Sequence, residues 1–396
     1  MPIDFNRVPP RADVPPPPQV SWLVWTIVLA LMIAAGVGLT TMLWPAGSPT
    51  NTLWFWFCVA GYPVLAWGFL LSAWLGFGYV RRNEAIATNR VGDGAEQACH
   101  TAASRPLAIL GHAWCVAADE SENSLEGVLR SVDSPKLRPS AAWPDKDVNA
   151  RWLNIPDMPF YPGNGLSETF RHRELCKWLL GRLIDRLVPP LKALPPQTTL
   201  QLELYQQSKL QSDAFETRIR DLIAERVPAL KLRTASAEHP HSLLRIDDWL
   251  DDRDANIAHL LVAVELRNAI SAVLTDGVSE AGVALLVARP RSALPADSTR
   301  VLVHRPAKAT LDDAARTLGL AARWGHASRD RMPTVWTHGL TGDSLSALRQ
   351  PGSLAQEAQW NVLEASVGDC SGAGPWLAAA FAAESARTTG DPQMVL

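Results

Sequence analysis

The sequence predicts an α/β domain preceded by a transmembrane helical hairpin. Two observations carry that fold class. Two long, uncharged apolar stretches, 21–44 and 53–80, lie near the start of the chain. After residue 105, short apolar strand-like runs alternate with amphipathic helix-like runs, the pattern of helices packed on a buried sheet.

The chain opens with a proline-rich leader, residues 1–20, which holds Pro9-Pro10 and the run Pro15 to Pro18. Such a run prefers an extended polyproline helix. It is expected to be a stiff spacer, with docking of a partner as the other reading. Each apolar stretch exceeds the roughly 20 residues that cross a bilayer core. The segment between them, Pro45 to Thr52, has no charge, so the two spans read as a tight hairpin. Arg7 and Arg11 precede the first span, and Arg81 and Arg82 follow the second. This distribution puts both termini on the cytoplasmic side. Tryptophans 22, 25, 44, 54, 56 and 74 lie towards the span ends, where aromatic belts form. Neither span carries an ionisable side chain, so the hairpin reads as an anchor and not as a conduit. Gly36, Gly38, Gly61 and Gly68 are candidate points of close helix approach.

Residues 81–104 are polar and read as a linker or short helix, and 105–390 as the cytoplasmic domain. Its elements follow in order. Leu107 to Leu110 reads as a strand ending at Gly111, and 141–164 as an ordered loop. Glu168 to Val188 is helical, with Phe170, Leu175, Trp178, Leu179, Leu183 and Leu187 on one face. Thr198 to Tyr205 alternates as a strand. Ser212 to Val227 is an amphipathic helix with Phe215, Ile219, Leu222, Ile223 and Val227 inward. His259 to Leu266, Val283 to Ala288 and Arg300 to Val303 read as strands, and Gly374 to Arg387 as a close-packing helix. The alternation predicts a largely parallel sheet.

The chain has 396 residues and a formal net charge of −3, so no global basic field exists to attract nucleic acid. Its five cysteines are scattered, without a CxxC pair, which fits free thiols in a reducing compartment. His239 and His241 read as a surface turn in preference to a metal pair. The acidic run Asp247, Asp248, Asp251 and Asp252 reads as a solvated helix face. No metal or cofactor is expected.

Three later segments share an order. They are Asp276-Gly-Val-Ser-Glu280-Ala-Gly-Val-Ala-Leu-Leu286, Val335-Trp-Thr-His338-Gly-Leu-Thr-Gly-Asp343 and Ser366-Val-Gly-Asp369-Cys-Ser-Gly-Ala-Gly374. Together they resemble the second half of a β-ketoacyl synthase, a member of the thiolase-like superfamily, where "GEGA", "HGTGTxxGD" and "GHxxGAAG" occur in that order. The likeness covers about Val262 to Ala386, with Arg105 to Gly111 similar to the opening strand. It implies a layered αβαβα domain. In active members it implies a cysteine thiolate that takes the acyl group, and two histidines that assist decarboxylation and stabilise the oxyanion.

This chain departs from that pattern. Thr234-Ala235-Ser236 stands nearest to the nucleophile motif "TACSSG", with serine in place of cysteine. His338 keeps one histidine position, and Asp369 takes the other. The segment matching the buried central helix, His241 to Ala255, is heavily charged. The expected function is therefore a catalytically inactive, membrane-anchored scaffold or accessory protein of a bacterial inner-membrane assembly such as a secretion system. It would act through protein partners or a homodimer. Ser236, His338 and Asp369 are the residue types of a hydrolase triad, so a membrane-bound serine hydrolase or acyl-handling enzyme is one alternative. An acyl-chain or acyl-carrier binding module is the other.

Overall fold

The computed structural model describes residues 5, 8–130, 137–234, 242–252, 254, 256–290, 301–308, 310–327, 332–349 and 357–396. The chain divides into two compact units, residues 3–100 and 101–396.

In the first unit, helix α1 spans Trp22–Leu43. The second helical run starts as α2 (Leu53–Trp56), widens through a π-turn at Phe57–Gly61, and continues as α3 (Tyr62–Ala103). Trp22–Leu43 and Leu53–Ala103 are both long and apolar enough to cross a membrane. They pack closely at Gly36, where an added Cβ would collide with Pro63 Cγ and lie 2.7 Å from the Val59 carbonyl oxygen. Gly38 and Gly68 meet nothing within 4 Å, so they do not serve the close approach expected of them. The Trp67 indole donates to the Trp25 carbonyl at 2.8 Å. Residues 81–103, expected to be a linker or short helix, continue α3 without a break. They contain no proline, and their two glycines do not interrupt the backbone ladder.

The second unit holds β1 (Leu107–Cys115), α4 (Leu125–Arg130), β2 (Arg138–Pro139), β3 (Asp147–Val148), α5 (Gly165–Lys192), β4 (Thr199–Gln207), α6 (Ser212–Arg226), β5 (Lys231–Thr234) and α7 (Arg245–Asp251). Then come β6 (Ile257–Glu265), β7 (Ala281–Ala288), β8 (Val301–Val303), α8 (Ala314–Trp324), β9 (Thr334–Thr337), α9 (Gly342–Leu348), β10 (Gln359–Val362), α10 (Leu363–Ser366), α11 (Gly374–Thr389) and β11 (Gln393–Val395).

Six strands form one sheet in the order β5-β4-β6-β7-β1-β8, and β10-β9-β11 form a second, parallel sheet. Side chains on alternate residues of β6 enter two different cores. Leu260, Val262 and Val264 meet Leu175, Leu179 and Leu183 of α5 and Phe215 of α6. Leu261 and Ala263 meet Trp376, Leu377 and Phe381 of α11 and Trp336 of β9. On the far side of the small sheet, Val335 and Met394 pack on Leu318 and Ala322 of α8 and Leu348 of α9. The layers are therefore helix, sheet, helix, sheet, helix, the αβαβα order that the resemblance implies. Both faces of β6 are covered, which is why His259 to Leu266 reads as a continuous apolar run.

Three expectations about this unit are corrected. The large sheet is mixed: β4 is parallel to β5 and β6, whereas β7 is antiparallel to β6 and β1. Parallel neighbours need a long crossover, usually helical, and no helix lies between β6 and β7. The first strand does not stop at Gly111 but runs to Cys115 through a register shift between Ile109 and Gly111. Phe170 of α5 is exposed, while Glu168, Arg171 and His172 take the inward face. Within the charged segment, Arg245–Asp251 form the short α7, which buries Ile246 and Trp249 and leaves its acidic residues partly exposed, as expected of a solvated face. Four of its charges are paired: Arg245 with the buried Glu203 and with Asp248, and Asp247 and Asp251 with Arg305.

Candidate functional site

The three motif segments converge. The Asp369 N–H donates to the Gly277 carbonyl at 2.7 Å, and the Ser279 N–H donates to the Asp369 carbonyl at 2.9 Å. Gly368 at this junction has φ +105, and a Cβ there would lie 2.9 Å from the Gly277 carbonyl oxygen. Only glycine fits both the conformation and the space.

His338 follows β9, the middle strand of the parallel sheet, at its C-terminal end, where α/β sheets place functional side chains. Its ring rests on the first residue of α11, so closely that a Cβ on Gly374 would overlap His338 Nε2. That nitrogen is buried without a hydrogen-bond partner. It lies 3.6 Å from Asp369 Oδ1 and 3.7 Å from Glu364 Oε1, beyond normal hydrogen-bond range. Asp369 Oδ1 instead accepts the Ser371 N–H at 2.7 Å, and Glu364 Oε1 accepts the Gly339 N–H at 2.5 Å. Ser371, at φ +44, is held by Arg267, whose Nη2 donates to its Oγ at 2.6 Å. Arg267 Nη1 lies 3.3 Å from Glu265 Oε1, and the Tyr205 hydroxyl donates to Glu265 Oε2 at 2.8 Å. Burial raises the Glu265 pKa against the opposing pull of Tyr205 and Arg267.

Two of the three expected site residues, His338 and Asp369, are thus neighbours. Ser236 lies outside the described residues, as do His239 and His241. Among the described cysteines, Cys370 comes nearest in sequence to this site. Its thiol is fully buried, and burial pushes its pKa up to about 12, so it is no thiolate at neutral pH.

Chain reading missed Glu364, Glu265, Arg267 and the buried clamp behind them. In that clamp Arg171 donates to Glu280 at 2.6 and 3.0 Å, to Glu168 at 3.0 Å, and to the Leu153 and Arg267 carbonyls at 2.9 and 3.2 Å. Glu168 Oε2 accepts from the Ile270 and Ser271 N–H groups and the Ser271 hydroxyl. His172 Nδ1 accepts the Lys209 N–H at 2.9 Å. This assigns the proton to Nε2, which then donates to the Arg267 carbonyl at 2.9 Å. The clamp ties α5 to the loop between β6 and β7 and, through Leu153, to the segment between β3 and α5. A signal was present: Glu168, Arg171, His172 and Leu175 share one helix face by spacing.

Solved ketosynthase structures align with this chain. The oxazolomycin ketosynthase domain from Streptomyces albus aligns with a TM-score of 0.40 at 10% identity, covering 72% of this chain and 80% of its own. A β-ketoacyl synthase from Burkholderia phymatum aligns at 0.40 and 13% identity, with 72% and 86% covered. A 3-oxoacyl-[acyl-carrier-protein] synthase III from Aquifex aeolicus aligns at 0.38 and 12%, with 73% and 94% covered. No family model matches the chain, and no curated protein matches it.

A cavity of about 940 Å³, which His338 does not line, lies between β1, α5 and α11. Its walls include His112, Trp114, Glu120, Arg186, Glu384 and Arg387. His112 Nε2 lies 3.0 Å from Glu384 Oε2. Burial nevertheless lowers the His112 pKa, outweighing Glu384.

Proposed function

We propose that the chain is a membrane-anchored scaffold or accessory protein of a bacterial inner-membrane assembly, built on a ketosynthase-like domain that no longer catalyses condensation. One observation carries the loss of chemistry. Asp369 and Glu364 both lie within 4 Å of His338 Nε2, where the resemblance implies an oxyanion between two donors. A carboxylate and an oxyanion about 4 Å apart repel by roughly 4 kcal/mol at an effective dielectric near 20. That amounts to about 10³ in rate before any lost stabilisation is counted. The buried Cys370 supplies no thiolate in compensation.

A serine-hydrolase reading draws on the nearness of His338 and Asp369. One experiment separates the two. The full chain in detergent is treated with a fluorophosphonate probe and, separately, with acyl and malonyl thioesters. The scaffold reading expects no labelled serine, no thioester turnover, and no change on Ser236→Ala or His338→Ala. Labelling that disappears in Ser236→Ala would establish the hydrolase instead. The hairpin topology, with both termini cytoplasmic, expects single cysteines at residue 13 to be labelled only from the inside and at residue 47 only from the outside.

A further inference from the structure

Within the first unit, the described part of the leader lies along α3 from the end of the apolar stretch onward. The Phe5 ring lies tilted against the His100 ring, with centroids 5.0 Å apart. Arg11 pairs with Asp93 at 2.9 Å. The side chain of Asn89 reads the backbone of Ala12 twice: the Ala12 N–H donates to Oδ1 at 2.8 Å, and Nδ2 donates to the Ala12 carbonyl at 2.9 Å. Arg82 Nη1 donates to the Pro15 carbonyl at 2.7 Å. At Gly78 an added Cβ would lie 3.0 Å from Pro18 Cβ, so the absence of a side chain lets the proline approach.

The pairing is antiparallel and in register. From Ala12 to Pro18 a polyproline helix advances about 19 Å at about 3.1 Å per residue. From Asn89 back to Gly78 an α-helix covers about 17 Å at about 1.5 Å per residue. The lengths match, so successive contacts repeat without slack. The chemistry matches too. A polyproline backbone makes no internal hydrogen bonds and leaves its carbonyls free, and Arg82 and Asn89 place donors against two of them. Asn89 also supplies an acceptor at Ala12, one of the leader positions that has an N–H to give.

We propose that Gly78, Arg82, Asn89 and Asp93 form a binding site for polyproline-type peptide, and that the leader is its resident ligand in cis. The leader is then a separable strap on the helix, and any partner that binds the polyproline run must compete with α3 for it. Binding is set by backbone readout, so it requires the N–H of residue 12 and tolerates exchange of its side chain.

The test uses the full chain in detergent. A variant combining Pro18→Cys with Gly78→Cys is oxidised, and a disulfide between the two introduced thiols is sought by mass spectrometry. The expected product is a disulfide within one chain. A disulfide only between chains, or none, overturns cis occupancy. A second chain carries Arg11→Ala and Ala12→Pro with Pro15 to Pro18 replaced by glycine and serine, which removes the leader's own readout by Asn89 and leaves α3 intact. A fluorescent peptide of residues 8–20 is added and its anisotropy followed. Saturable binding is expected, weakened at least about tenfold by Asn89→Ala in the protein or Ala12→Pro in the peptide, and unchanged by Ala12→Ser. Absent binding, or binding indifferent to Asn89→Ala and Ala12→Pro, overturns the proposal.

Discussion

Arg171→Ala is the substitution expected to damage the domain most for the atoms removed. Arg171, Glu168 and Glu280 are each fully buried. The arginine is the charge partner of both carboxylates and also holds two backbone carbonyls. Its loss leaves two carboxylates facing each other in the core. Removing one partner of a buried pair costs about 3–5 kcal/mol, against a total stability of about 5–15 kcal/mol. A loss of that size lowers the melting temperature by roughly 10 °C. The assay is thermal unfolding of the full chain in detergent at pH 7.5, followed by near-ultraviolet circular dichroism. Adding Glu280→Gln to Arg171→Ala removes one of the stranded charges. The double variant is therefore expected to lose less than the sum of the two single losses. A drop below about 2 °C for Arg171→Ala, or strict additivity in the double variant, would refute the clamp as an energetic unit.

Burial pushes the Glu168 carboxyl up, but His172, Arg171, Ser271 and the Ile270 N–H together pull it down to about 2. The unfolded chain therefore binds this proton first as pH falls. Its contribution is complete above about pH 5 and is lost progressively from about pH 4.5 towards 2. Unfolding midpoints measured from pH 6 to 3 should fall, and Glu168→Gln should flatten that slope. Gly374→Ala drives a methyl into His338 Nε2 and should cost about 1–3 kcal/mol through forced repacking. A urea midpoint unchanged from the parent would show that the ring moves freely. Burial raises the thiol pKa of Cys115 to about 11, and of Cys176 and Cys370 to about 12. All three should resist iodoacetamide at pH 8 until urea is added, with mass spectrometry locating the adducts. Modification of any of them in the folded chain would contradict that burial.

The helices with strong apolar period were legible: α5 and α6 fall within a few residues of their expected bounds, and Phe215, Ile219, Leu222 and Ile223 are buried as their spacing predicts. His259 to Leu266 was legible as a buried strand for the same reason. Glu364 was not legible as a neighbour of His338, because the two are distant in the chain and only the parallel pairing of β9 with β10 brings them together. Asn89 and Ala12 are farther apart still, and neither belongs to a recognisable motif.

By itself, the sequence determined what local forces decide: two charge-free helical spans, the strand and helix periods, and glycines where His338 and the Gly277 carbonyl need room. The tertiary structure alone decided strand direction, the facing of Asp369 and Glu364 towards His338, the Arg171 clamp, and the seating of the leader on α3. Those depend on pairings between distant segments, whose energies arise only when the segments meet, and residue spacing along the chain carries no record of that meeting.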